Sequence, residues 1–373
     1  MIPIKQVTKQ TYNRGLENLI AGETAISKID GLRGKLWFRG YDVKELAVKS
    51  SFEEVSYLII HGELPTSFQL ERWREELEQW HDPPMESLSV LNKLPSNTQA
   101  LMLYRTMLSV AACHIPEGEN VRLDAQWRRP ARILAWCSTI AAAAICHIRG
   151  IVLKPHDPEM SFAANFLIQS LDKEFSDFEI KVFDTCLVVQ AEHGFHAAAL
   201  AALTVISTGA DLGSAVLAGM GALSGKLHGG ACEFAFDNII RHKSVEEAKT
   251  WVQISLGKGY KFPGFGHRIY KTHDPRVKIL EPLARKLLKS TGNSLLWENY
   301  CSIRDEIEAA LGEKGIFANV DGITGLIYHA LGLPRESFTI PFAIAITSGW
   351  MAHCLEYLSE GKMIEPGAIY TGN

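Results

Sequence analysis

The sequence predicts a mainly α-helical fold with a small β-hairpin region near the N-terminus, and three observations carry that prediction. Apolar residues recur at helical spacing through most of the chain after Gly40, with Gly, Pro and Asp punctuating the runs. Residues 26–40 instead alternate apolar and polar side chains around Asp30-Gly31, a hairpin signal. Residues 197–224 and 341–356 are rich in Ala and Gly, which lets helices approach one another closely.

Taken in order, Ser51-Phe-Glu-Glu is a capping box that opens a helix, and Gly62 closes it before Pro65-Thr66 begins the next. Helical spacing follows over 67–80, 98–112, 132–149, 161–170 and 175–203, the last run carrying His193 on an apolar helix. Runs over 245–260, 276–290, 295–311, 322–331 and 341–360 complete the pattern, without repeats or low-complexity tracts. The mixed-charge segment 229–330 reads as a small helical domain set into a large one formed by 1–228 and 331–373. A substrate cleft is expected between them, with hinges near 228 and 330.

Composition narrows the function classes. The 373 residues are 47% hydrophobic and 21% charged, as in soluble globular proteins. A net charge of −4 and a pI near 6.4 give no basic footprint for nucleic acid. Seven scattered cysteines without a Cys-x-x-Cys pair predict reduced thiols and a cytoplasmic location. The first ten residues lack an apolar leader. The most apolar run, 133–148, lies beside Arg128, Arg129 and Arg132. It is shorter than the ~20 residues a bilayer span needs, so it reads as a buried helix and no membrane partner is expected.

Chemistry concentrates in the second half. His193 lies in Ala-Glu-His-Gly-Phe-His (191–196), His228 in Leu-His-Gly-Gly-Ala (227–231), His267 in Gly-Phe-Gly-His-Arg (264–268) and Asp321 in Asn-Val-Asp-Gly (319–322). Glycine beside histidine lets backbone and ligand approach the imidazole, which suits carbonyl chemistry. Each motif alone has a plainer reading, since a lone apolar-face histidine packs and an Asn-Val-Asp caps a helix. His193 and His196 are also spaced as a possible metal pair.

Together, the order and spacing resemble the citrate synthase family. The segments are Leu-His-Gly-Gly-Ala, then Gly-Phe-Gly-His-Arg-x-Tyr-Lys-x-x-Asp-Pro-Arg (264–276), then Asn-Val-Asp. The likeness extends to Phe38-Arg39-Gly40-Tyr41, Gly62-Glu-Leu-Pro-Thr66, Phe162-Ala-Ala-Asn-Phe166 and Ile369-Tyr-Thr-Gly372, so it spans nearly the whole chain. It implies that family's two-domain helical fold, a homodimer, and metal-free condensation of an acyl-CoA, as co-substrate, with a small carbonyl acceptor. It assigns Asp321 as the base that takes the methyl proton, His228 as donor to the enolate oxygen and His267 as donor to the acceptor's keto oxygen. A helix opening at Gly229-Gly230 would help keep His228 neutral. It assigns His193 and Arg276 to acceptor binding, and Lys271 and Lys314 to CoA phosphates, although exposed lysines are as often plain solvated charges.

Departures from the family pattern gather at the acceptor. Phe-Ala-x-x-Arg-x-x-Gly-Trp becomes Phe342-Ala-Ile-Ala-Ile346-Thr-Ser-Gly-Trp350, and Arg-Pro-x-x-x-Tyr becomes Glu365-Pro-Gly-Ala-Ile-Tyr370. His196 and Cys232 each stand where the family has Asn, and Gly322-Ile323 replaces its aromatic or polar pair. Each arginine–carboxylate contact is worth roughly 1.5–3 kcal/mol, so the expected acceptor is not oxaloacetate, or is held differently, and Ile346 would suit an apolar or monocarboxylate one. A non-catalytic CoA- or metabolite-binding paralogue and a lyase running the reverse cleavage are the alternatives. Deuterium exchange into the acetyl-CoA methyl group separates the first of these from an enzyme. The ending shortly after Tyr370 suggests slighter dimer contacts than those of relatives with longer tails.

Overall fold

The computed structural model describes residues 13–16, 19–95, 97–115, 128–359 and 361–372. The N-terminal ten residues, and with them the reading that no leader is present, lie outside the described residues. Antiparallel β1 (Ser27–Asp30), β2 (Lys35–Phe38) and β3 (Tyr41–Asp42) form a three-stranded sheet in sequence order, with Ser27 opposite Phe38. The hairpin is there, but its loop is the four residues 31–34, held by Asp30 Oδ1, which accepts from Leu32 N and Arg33 N. The N-terminal β region therefore stands as expected, with a third short strand added.

Every other regular element among the described residues is helical. α1 (Val43–Lys49) is capped by Asp42, and α2 (Phe52–His61) opens with the Ser51–Glu54 capping box and ends on left-handed Gly62. α3 (Ser67–Gln79) opens with a second box, Thr66–Gln69. Then come α4 (Met85–Ser89), α5 (Ala100–Ala112), α6 (Arg128–Arg149), α7 (Phe162–Leu171) and α8 (Asp177–Gln190).

The run read as one helix over 175–203 is broken, and His193 lies in a loop. α8 stops at Gln190, and α9 (Ala197–Ile206) begins after His196. Gly194 has φ +65°, and Glu192 Oε1 accepts its N–H, so the backbone folds around a buried carboxylate instead of continuing. The stretch 197–224 likewise divides, because Gly209 (φ +83°) ends one helix and Asp211 caps α10 (Leu212–Leu223).

α11 (Ala231–Ile240), α12 (Val245–Gly257), α13 (Pro275–Ser290), α14 (Ser294–Leu311) and α15 (Val320–Leu331) follow and pack largely on one another, with α13 and α15 also meeting α8. α16 (Thr339–Leu358) runs through the middle of the remaining helices, against α2, α5, α6, α8, α9 and α10. From Thr339 to Cys354 only Phe342 escapes full burial. The apolar stretches of α6 and α16 are long enough to cross a membrane, α6 being longer than the sequence run suggested, yet 89% of each is buried within the protein. Their apolarity is thus accounted for by the core they build. None of the seven cysteines is disulfide-bonded.

Candidate active site

Three chain segments converge on a set of imidazoles. The α8–α9 loop supplies His193 and His196, the turn before α11 supplies His228, and the loop leading into α13 supplies His267 and Tyr270. The His193 and His267 rings lie 5.0 Å apart, centroid to centroid, and His193 Nε2 is 3.2 Å from the Tyr270 hydroxyl. His196 Nδ1 is 3.2 Å from His228 Nε2.

Hydrogen bonding fixes where the protons sit. Burial pushes His267 down to about 4, so it is neutral at pH 7, with nearby Arg276 adding to the effect and Asp274 opposing it. Its Nδ1 accepts from the backbone N–H groups of Ile269 (3.0 Å) and Tyr270 (3.2 Å), which leaves the proton on Nε2. Burial, with His228 beside it, pushes His196 down to about 3, so it too is neutral. Trp350 Nε1 can only donate, and it points at His196 Nε2 at 3.4 Å. The His196 proton is therefore on Nδ1 and is given to His228 Nε2. His228, also lowered by burial, consequently keeps its own proton on Nδ1. Two neutral donors of opposite tautomer result: His267 through Nε2 and His228 through Nδ1.

Charge enters from α13 and α15. Asp274 caps α13, Pro275 follows at its first position, and Arg276 is buried with two-pronged bonds to Asp274 at 3.0 and 2.7 Å. Asp274 and its hydrogen bonds hold the Arg276 guanidinium above its ordinary range against burial. Asn319 Oδ1 accepts from Asp321 N and so places Asp321 in the first turn of α15. Asn319 also donates through Nδ2 to Gly266 O (2.9 Å) and through its backbone N–H to Gly264 O (2.9 Å), so the Asp321 turn is stitched to the His267 loop. Burial pushes Asp321 up to about 6; Arg276 opposes that rise, and Asp274 and Glu233 add to it.

Arg276 is the common electrostatic neighbour: its charge acts on His193, His196, His267 and Asp321 alike. His228 joins the group through His196. Lys271 and Lys314 are exposed on adjoining segments, since Gly315, next to Lys314, packs against the Lys271 backbone. The Lys271 ammonium donates to Arg268 O at 3.1 Å. Ile346 is fully buried in α16, one turn before Trp350, while Glu365 is exposed in the segment after α16.

Sequence reasoning missed Tyr270, Asp274 and Trp350 as members of the site, although all three stand inside the quoted motifs. It also missed Glu192, whose buried Oε1 accepts from Ser27 Oγ at 2.8 Å and faces His353 Nε2 at 2.8 Å. Its signal was position alone, directly before His193.

The family profile described as "Citrate synthase, C-terminal domain" matches residues 15–367. A citrate synthase of Synechocystis sp. is 35% identical over 367 residues, covering 98% of this chain and 92% of the relative. A 2-methylcitrate synthase of Mycobacterium tuberculosis is 32% identical over 362 residues, covering 96% and 90%. Among solved structures, a citrate synthase of Thermoplasma acidophilum in ternary complex with carboxymethyl coenzyme A and oxaloacetate has a similar fold, with a TM-score of 0.92 at 30% identity and 96% of each chain covered.

Proposed function

The chain belongs to the citrate synthase family of carbon–carbon condensing acyltransferases, and from that premise we propose a Claisen condensation between acetyl-CoA, or another short acyl-CoA, and a 2-oxo acid acceptor that is not oxaloacetate or is held differently from it. In this reading Asp321 removes a methyl proton, and the Nδ1–H of His228 stabilises the oxygen of the resulting enolate. The enolate carbon attacks the keto carbon of the acceptor, whose oxygen takes a hydrogen bond from the Nε2–H of His267. His193 and Arg276 hold the acceptor, Lys271 and Lys314 meet CoA phosphates, and water then cleaves the thioester. Side chains and the CoA thioester carry every step. A homodimer and a cytoplasmic location belong to the same proposal, as does movement of 229–330 as a unit about its two ends.

The observation that carries the acceptor assignment is Ile346. It lies on the face of α16 that also bears Trp350, and so on the side of the His196–His228 pair. An apolar side chain there offers a carboxylate nothing, and Arg276 already shares its charge with Asp274. Such a pocket favours an acceptor with one carboxylate and an apolar remainder.

Steady-state assays with acetyl-CoA against oxaloacetate and a set of monocarboxylic 2-oxo acids test the proposal. A monocarboxylic acceptor is expected to show the higher kcat/KM. I346R, alone or with E365R, is expected to raise kcat/KM for oxaloacetate by roughly 10- to 100-fold. Efficient citrate formation by the unaltered enzyme, with a micromolar KM for oxaloacetate, overturns the acceptor assignment.

A further inference from the structure

Away from the condensing site, the end of α3 and the loop before α7 bring together Glu78, His81 and His156. One potential ligand atom from each lies within 4.8 Å of the other two. His156 Nε2 is 2.5 Å from Glu78 Oε2, and His81 Nδ1 is 3.3 Å from Glu78 Oε1. The two imidazoles stack with centroids 4.4 Å apart and planes 18° from parallel. Donors at about 2.0–2.1 Å from a tetrahedral zinc-type ion stand roughly 3.3 Å from one another, so small adjustments suffice.

Ordinary hydrogen bonding leaves the cluster unbalanced. His81 Nδ1 faces Glu78 O at 2.6 Å, and its Nε2 faces Asp82 Oδ2 at 3.2 Å. Both partners are acceptors, and a neutral imidazole has one proton to give. The other ring nitrogen therefore turns a lone pair toward oxygen, an arrangement that a cation relieves. The frame around the cluster is already set. Asn165 Nδ2 donates to Asp157 O (2.8 Å) and Met160 O (3.2 Å), and its Oδ1 accepts from Asp157 N (2.9 Å), which pins the His156 loop. Thr139 Oγ1 donates to His81 O at 2.7 Å. The cluster also lines a cavity of about 660 Å³ whose wall carries Glu53, Glu71, Glu75 and Glu159 against Arg74. That excess of carboxylates draws cations, and the cavity shares no residue with the condensing site.

We propose that Glu78, His81 and His156 bind a divalent transition-metal ion of zinc type, which ties the end of α3 to the loop preceding α7. Two imidazoles and a carboxylate are a nitrogen–oxygen set suited to that class of ion, with a further position open toward the cavity. The site stands independently of the acceptor proposal.

The test uses full-length, tag-free protein stripped with a chelator and titrated with Co²⁺, followed by Zn²⁺ competition. One Co²⁺ per chain is expected, with visible d–d absorbance, no near-ultraviolet thiolate-to-cobalt band, and displacement by Zn²⁺. Affinity is expected to fall roughly 100-fold in H81A, H156A and E78Q, and Zn²⁺ is expected to raise the Tm of the wild type but not of these variants. E78Q keeps the side-chain shape should a histidine variant fold poorly. No stoichiometric uptake, uptake unchanged in all three variants, or a thiolate band overturns the proposal. A Tm that responds to pH through the imidazole range and not to Zn²⁺ also overturns it, because a proton then fills the cluster.

Discussion

Asp321 is held at about 6, above its ordinary value, chiefly by burial, and that single shift has consequences for both rate and stability. The ionised form opposes folding: the penalty is absent below the ordinary value near 3.8, grows between there and about 6, and is complete above. D321N is therefore expected to raise Tm at pH 8 and not at pH 3.5, with an upper bound of about 3 kcal/mol at the higher pH. The same variant is expected to lose about 10²- to 10⁴-fold in kcat as its base disappears. In the unaltered enzyme, kcat/KM is expected to fall as pH drops below about 6, because protonated Asp321 cannot take a proton. H196A leaves His228 Nε2 without its donor and frees the wrong tautomer; kcat is expected to fall about 10- to 100-fold with KM for acetyl-CoA little changed. The motifs made Asp321, His228 and His267 legible as a group. The tautomers were not legible, because they depend on Trp350 and on the backbone of residues 269 and 270, and local sequence does not reveal those contacts.

Helix ends were the most readable elements, because a cap is written in adjacent residues: the Ser51–Glu54 box and left-handed Gly62 stand where the sequence places them. The α8–α9 break was unreadable because its cause is distant. Glu192 turns inward to meet Ser27 and His353, and the helix gives way to a loop that carries His193 and His196. α16 approaches that loop so closely that Gly349 N donates to Ala191 O at 3.1 Å. A Cβ at Gly349 would collide with Glu192 Oε2 and lie 2.7 Å from Ala191 O. G349A is expected to destabilise by about 1–3 kcal/mol in chemical denaturation and to lower kcat by displacing His193.

Across the whole molecule, Glu192 links the hairpin, the imidazole loop and α16 from a fully buried position. H353L leaves that carboxylate without its main partner and is expected to destabilise by about 3–5 kcal/mol, read from urea unfolding. The hairpin is tied a second time at its tip. Gly31 O accepts from Lys271 N at 2.9 Å, and Gly31 packs so tightly on the Ile269 backbone that no side chain fits there. A small sheet standing alone in water is marginal. These strands lean on α1, and Arg39 on α2, but their tip meets Lys271 only after some 240 further residues have been made. The tip of that ribbon is thus made early and becomes rigid late.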